Sequence, residues 1–390
     1  MWFCLYVLIR PVDRKEFEQR TFPHAYDVLV YTDESHYYAK DARGNVICVD
    51  SSTGCLQEGI NHGKHIYVKG IFNISNPVNV VSGRTVYIDG YISSVQITDQ
   101  LAHSIEIIGI GYGSSNGHIG NLYMDNNPFK ITFRNLYINN ATIRFGGHIL
   151  FDSCSFTYVN LNGYDFNRPA YWITFLRSWI QNPNGVGIDI NNALHILFIS
   201  SVINYNKGIG VNIYGNGGHY IKFINSDIES NQTGISVTNG DVVLEETHFY
   251  DNADYAIYMG TNSEVVIKDG SDVRGTRSGM DIKIDFTSSV LIIDRTSRIG
   301  NIVGLNNLGY FKSENPSYLS RNMGQAMIPA NTTRVTVSHG LAKAPTKVLI
   351  TPLASPPGKL WVENITATSF DIVTDTAPTV DLNVAWYAEC

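Results

Sequence analysis

Two carboxylates, Asp227 and Glu229, stand on either side of an apolar residue in the stretch SDIES. In an extended chain that spacing puts both on one face, about 6.6 Å apart at a rise of about 3.3 Å per residue. Carboxylate pairs in glycosidases have separations near this. The stretch THFY repeats the pattern with His248 and Tyr250, SWIQ with Trp179 and Gln181, and SVIN with Val202 and Asn204. Counted from Phe175, Phe198, Phe223 and Leu244, the first member of each pair lies four residues on and the second six. If these stretches stack, Trp179, Val202, Asp227 and His248 form one outward column, and Gln181, Asn204, Glu229 and Tyr250 the next. Aromatic faces stack on sugar rings, and carboxylates and amides bind hydroxyls. The column therefore has the chemistry of a glycan groove, with Asp227, Glu229 and His248 as the reacting groups if the groove is catalytic. The same residues also fit an ordinary solvated strand face, and spacing alone does not choose between the two.

A second binding candidate is Tyr171 with Trp172, in the segment NGYDFNRPAYW. This segment lengthens one repeat, and long loops on rigid scaffolds often form binding walls; loop packing explains it equally well. The run Asp269, Asp272, Asp281 and Asp285 alternates with Arg274, Arg277 and Lys283. It reads as solvated charge pairing rather than a metal site. The five cysteines, Cys4, Cys48, Cys55, Cys154 and Cys390, have no metal-ligand spacing. Cys48 and Cys55 are near enough to pair, or are two small buried residues. No metal and no cofactor is expected. Sequons begin at Asn73, Asn140, Asn231, Asn331 and Asn364, a number that chance supplies readily in a chain rich in Asn and Thr.

The elements that position these residues are short strands in a repeat. Ile221 and Phe223 are followed by Ile228, then by Ile235 and Val237. The same order runs through Ile173, Phe175, Ile180, Ile188 and Ile190, and through Ile196, Phe198, Ile203, Val211 and Ile213. Looser copies begin near Val265 and Leu291, with one extra residue before Val273 and Ile299. The period averages about 23 residues, within the solenoid range. Three period-two strands per repeat, each with one apolar face, cannot bury that face alone. Stacking one coil on the next pairs every strand and closes a continuous core, which is a parallel β-helix. Roughly eleven coils between Ile66 and Ile302, each about 4.8 Å above the last, make a rod about 50 Å long. Charged residues are 16% of the chain, against about a quarter in an average protein. Like charges stacked in one column would repel. Asn135, Ser153, Ser200 and Asn225 share a turn column in which a stacked amide could hydrogen-bond along the rod.

The flanks differ. Residues 1–50 read as a leader and a hairpin, and MWFCLYVLIRPVDRK as a docking strand rather than a signal peptide, its apolar run being nine residues long. Residues 51–305 hold the β-helix, opened by a capping helix over Ser51 to Asn61 with Leu56, Gln57 and Ile60 on one side. Residues 306–326 read as a linker. Residues 327–390 carry alternating strands between Pro, Gly and Asn turns and read as an antiparallel β-sandwich. The net charge of -7, without a basic stripe, argues against nucleic acid. No stretch is long and apolar enough to suggest a membrane span.

The short Gln-containing helix followed by IYVKGIFNIS and SGRTVYIDGY resembles the start of pectate-lyase-like right-handed β-helix proteins, above all viral tail spikes. YYAKDARGNVI looks like the lead-in of such proteins in archaea and their viruses. The C-terminal set TTRVTVSHGL, APTKVLITP, WVENITATSFDIV and VAWYA is similar to a module that closes many phage and archaeal-virus fibres. These resemblances imply an all-β fold and a virion attachment protein, tail spike, fibre or surface spike. They imply a homotrimer anchored at its base to other virion proteins, made in the host cytoplasm, and binding a host surface glycan. A polysaccharide hydrolase or lyase on the same scaffold is the alternative, and a cellular surface adhesin a further one, since this fold hosts enzymes and non-enzymes alike. The Asn-Thr-Asp, Asp-Asp and Gly-His-Gly runs of polygalacturonase-like enzymes do not occur at strand ends here, nor does the acidic calcium cluster of pectate lyases. His339–Gly340 lies in the C-terminal module, where it reads as a turn.

Overall fold

The computed structural model describes residues 26–33, 36–51, 54–110, 117–165 and 167–390. The reading of residues 1–25 as a docking strand lies outside the described residues. The chain is all-β, and its main body is a parallel β-solenoid in which each coil gives one strand to each of three sheets.

In the first sheet Ile149, Ile173, Ile196, Ile221, Val242, Val265, Leu291 and Phe311 stack in register. Two residues on, Phe133, Phe151, Phe175, Phe198 and Phe223 form a ladder of rings with centroids 4.9, 5.2, 4.9 and 4.5 Å apart. All five are buried. Each contributes about 1.5–3 kcal/mol by burial, and each stacked pair about 0.5–1.5 kcal/mol beyond that. The second sheet stacks Phe156, Ile180, Ile203, Ile228, Phe249 and Val273. The third stacks Ile190, Ile213, Val237, Met259 and Ile284.

The corner between the first and second sheets needs a left-handed residue. Asn135, Ser153, Arg177, Ser200, Asn225, Glu246 and Asp269 all have φ between 46° and 57°. Amides do not run along this column; the one amide contact within it is Asn225 Nδ2 to Ser200 Oγ at 3.3 Å. The amide ladder lies at the next turn. There Asn206 Nδ2 donates to Asn231 Oδ1 at 2.8 Å, and Asn231 Nδ2 to Asn252 Oδ1 at 3.1 Å, all three residues buried. Between the two, buried Ser178, Ser201 and Ser226 accept the backbone N–H of the coil below and donate to carbonyls. Buried turn groups are thus paired, as the low dielectric requires. The sequon at Asn231 is closed to glycosylation in the folded rod, because its amide is inside this ladder.

At the N-terminal end Val28–Thr32, Tyr37–Asp41 and Val46–Asp50 form an antiparallel meander, and its first strand pairs in parallel with His65–Phe72. The helix is Gly54–His62, with Cys55, Leu56, Gly59 and Ile60 buried. The expected start of the helix, with Ser51 or Ser52 as cap, runs through Ser52 and Thr53, which lie outside the described residues. A Cβ on Gly59 would lie 2.4 Å from Val30 Cγ2, so only glycine allows this approach. Gln57 ties the helix to the first coils, accepting the Asn79 N–H at 2.8 Å and donating to the Asn79 carbonyl at 3.0 Å. Of the two readings of Cys48 and Cys55, the structure shows the pair bonded, with Cα atoms 5.4 Å apart.

The segment expected as a linker holds strands at both ends. Tyr310–Ser313 adds to the first sheet of the rod, where Phe311 covers Leu291. Arg321–Ile328 pairs with Leu382–Glu389, which also pairs with Lys347–Pro352. Arg334–Ser338, Ser369–Thr374 and Leu360–Glu363 form a second antiparallel sheet. The two sheets enclose Ile328, Val337, Phe370, Ile372, Leu382, Val384 and Trp386. Among the described residues, no helix is long and apolar enough to cross a membrane.

Candidate functional site

On the second sheet Trp179 pairs with Val202, Val202 with Asp227, and Asp227 with His248. Asn204, Glu229 and Tyr250 stack beside them. Each pair flanks an inward, fully buried residue, Ile203 or Ile228, or the nearly buried Phe249; Asn204, expected to face outward, is itself buried, 2% exposed, under its hydrogen bonds to Trp179 and Glu229. The burial of those residues fixes which face the pairs present.

The side chains form a continuous chain along the rod. Trp179 Nε1 donates to Asn204 Oδ1 at 2.7 Å. Asn204 Nδ2 donates to Glu229 Oε1 at 3.0 Å. The Tyr250 hydroxyl donates to the same carboxylate, which holds the phenol well above its usual pKa, with desolvation adding to the effect. Alongside, His248 Nδ1 lies 3.2 Å from Asp227 Oδ1. Next in that column is Asp272, paired with Arg274 through two contacts of 2.6 Å and with Arg298 at 3.7 Å. The Arg274 hydrogen bonds hold the Asp272 carboxyl below its ordinary pKa. His248, Tyr250, Asp272 and Arg274 border an open depression of about 450 Å³. Trp179 and Tyr250 remain 47% and 44% exposed, so the strip offers two partly free rings joined by a hydrogen-bonded amide and carboxylate. Gln181, next to Trp179, is exposed.

The second pair of candidates lies elsewhere, at the corner between the third and first sheets. Tyr171 is held down by its hydroxyl, which donates to Asn127 Oδ1 at 2.9 Å. Trp172 is 53% exposed and sits between His148 and His195, with centroids 5.0 and 5.2 Å away. His195 in turn stacks on Tyr220 at 4.7 Å. This ring column was not read from the sequence beyond Trp172. Its signal was the aromatic residue directly before the inward isoleucine in four successive repeats.

In the acidic run, Asp272 pairs with Arg274, Lys283 with Asp285 at 3.3 Å, and Arg277 with Asp251 at 3.1 Å. Asp281 is buried and accepts the backbone N–H groups of Thr276 and Asn301. In the C-terminal module His339 is buried, accepting the Leu341 N–H at Nδ1, and Gly340 has φ 64°; both serve the turn. A polar cluster unforeseen in the sequence lies on the second sheet of the module. Asp371 accepts from Thr336 at 2.6 Å, Asn364 at 2.8 Å and Arg334 at 2.8 Å. These bonds, the Thr336 one foremost, hold its carboxyl below the usual range.

No protein-family model matches this sequence, and no curated protein matches it. Solved structures do resemble the fold. The enzymatically active domain of tailspike protein 2 from bacteriophage CBA120 superposes with a TM-score of 0.50 at 12% identity, over 79% of this chain and 59% of that one. The tailspike of Acinetobacter phage vB_ApiP_P1 gives 0.46 at 10% identity, over 86% and 83%. Geobacillus virus E2 ORF18 gives 0.41 at 15% identity, over 85% and 74%. The chain has the parallel β-helix found among phage tailspike proteins; at these identities the likeness is one of fold.

Proposed function

We propose that the protein is a viral attachment spike whose β-helix flank binds a host surface glycan. The observation that carries this reading is the strip Trp179–Asn204–Glu229–Tyr250. It places two half-exposed rings and the Glu229 carboxylate on a rigid sheet, with buried Asn204 holding Trp179 and Glu229 in place beneath the surface. The structural neighbour of highest TM-score among those above is itself described as a tailspike domain, which supports the class. The partners that go with this reading are the virion proteins at the base and two further copies of the chain.

The carboxylates of the strip favour binding over bond cleavage. Glu229 is bonded to Asn204 and Tyr250, and Asp227 to His248. A hydrolytic reading has two supports of its own, the depression beside His248 and Asp272 and the description of the CBA120 neighbour as an enzymatically active domain. One pair of variants separates the two. In an array of bacterial surface polysaccharides, Trp179→Ala should cost about tenfold in binding through loss of a desolvated aromatic contact, with little change in melting temperature. Asp227→Asn should weaken binding modestly, because the amide still bonds hydroxyls. If Asp227→Asn instead leaves binding intact and abolishes release of reducing ends, the protein is an enzyme. Unchanged binding in both variants, with no glycan released by the wild type, rejects the strip.

A further inference from the structure

Lys130, His148, Trp172, His195 and Tyr220 occupy one column, each directly before an inward isoleucine. All five are exposed. All five have left-handed backbones, with φ of 57°, 53°, 53°, 55° and 59°. Bulky side chains are poorly suited to that conformation, which Gly, Asn and Asp adopt most readily. Of the rod's other left-handed columns, the corner between the first and second sheets holds Asn135, Ser153, Arg177, Ser200, Asn225, Glu246 and Asp269, with no aromatic, and the turn before the amide ladder holds Tyr205, Ser230 and Asp251. The backbone requirement is the same in all of them, so it does not itself call for four consecutive rings. Ring contacts stabilise this column as they do the phenylalanine ladder, but these rings lie on the surface, where they are open to a ligand.

The rings are held by one another. Centroids from His148 to Trp172, to His195, to Tyr220 are 5.0, 5.2 and 4.7 Å apart, the last pair only 3° from parallel. The first two pairs are tilted, by 33° and 46°, so only His195 and Tyr220 stack face to face. The exposed rings carry the imidazole nitrogens of His148 and His195, the indole N–H of Trp172 and the Tyr220 hydroxyl. None of these groups has a hydrogen-bond partner among the described residues. In the Trp179 strip the corresponding groups are bonded to each other. The corner column instead leaves a donor or acceptor free in four successive coils, on rings already immobilised. The four rings carry no carboxylate, and the next two positions of the column are Asp241 and Glu264.

We infer that this column is a second carbohydrate-binding strip, taking an extended polysaccharide laid along the rod, one ring to each sugar unit. The ring spacing is close to the length of one pyranose in an extended chain, so the register does not drift over the four coils. The ordering cost of binding falls on the ligand, because the rings are preorganised. This inference rests on the glycan-binding reading above but uses a different face.

The test uses the full chain labelled with 5-fluorotryptophan, its resonances assigned through Trp172→Phe and Trp179→Phe. The probes are cellohexaose, chitohexaose and hexagalacturonate, which separate neutral, acetamido and carboxylated ligands, with curved maltohexaose as control. The expected result is a saturable shift of the Trp172 fluorine with an extended hexamer and a weaker response to maltohexaose. Tyr220→Phe, which keeps the ring and removes the hydroxyl, should weaken that binding about fivefold, the loss of one net hydrogen bond. A shift at Trp179 with Trp172 silent overturns this inference and leaves the first strip standing. A shift at Trp172 with Trp179 silent supports the column and removes the strip. Silence at both, with all four probes, overturns both.

Discussion

The rod and the C-terminal module solve the same problem, a β core, under different constraints. In the rod each position recurs one coil above itself, so its neighbour is its own kind. This favours apolar ladders inside and neutral or alternating groups outside. The column Asp227, His248, Asp272, Arg298 alternates in sign or proton affinity. The module has no such repetition. It can group Arg334, Asp371 and Glu363 on one sheet face without stacking like charges. The difference teaches where the energy resides. The rod sums many similar nearest-neighbour contacts, whereas the module depends on a small core around Phe370 and on a few charge-assisted hydrogen bonds.

The sharpest way to break this comparison is in the rod. Phe223→Asp removes a ring between Phe198 and Leu244. Loss of the ring alone costs about 3–5 kcal/mol, and the buried unpaired charge adds to it. The coils around it should unfold, with loss of far-ultraviolet β signal and new protease sites near residue 223. An unchanged melting temperature would mean that the register is wrong. Phe370→Ala is the matching change in the module, also about 3–5 kcal/mol. A core of this size has little in reserve, so the module should melt well before the rod and give two thermal transitions. One merged transition would show that the module is stabilised mainly by the rod.

Much of the rod was legible because its signal repeats. The inward set Ile221, Phe223, Ile228 and Ile235 follows from a period-two pattern copied every coil, and the same copying places Trp179, Asp227 and His248 in one column. What repetition does not carry was hidden. The bond from Trp179 to Asn204 to Glu229 depends on rotamers, and spacing says nothing about them. The amide ladder is expected at Asn135 and Asn225, but it runs through Asn206, Asn231 and Asn252, each three residues past Ile203, Ile228 and Phe249; the offset repeats in the sequence, but burial of a turn amide does not show there. Tyr310–Ser313 is too short to show a period, so its docking onto the rod was missed. Alternation in VAWYA permits either face for Trp386, and pairing with Gly324 and Ile350 turns it inward, 8% exposed. The column through His148, Trp172, His195 and Tyr220 repeats one residue before each isoleucine, but Trp172 stands out in the sequence only as part of a lengthened loop, and ring contact between coils is not visible in spacing.

The smallest expected effect concerns Asp371 and acid. Hydrogen bonds from Thr336, Asn364 and Arg334 favour its ionised form, so its pKa in the folded module lies below that of an unfolded aspartate, about 3.9. A group with a depressed folded pKa stabilises the fold above its unfolded pKa and loses that contribution as pH falls through the folded value. The contribution of Asp371 should therefore be constant from neutral pH down to about 4 and fade below it. Asp371→Asn cannot titrate. It should start with a lower melting temperature for the module at pH 7, because an amide accepts less strongly from Arg334 than a carboxylate does. It should then lose less on going from pH 5 to pH 3 than the wild type, with the rod transition moving equally in both proteins. Other carboxylates titrate in the same window, so the informative quantity is the difference between the two proteins. If that difference is the same at pH 3 as at pH 7, Asp371 is held by packing rather than by its charge, and the contrast between an apolar rod and a charge-tied module fails at its most specific point.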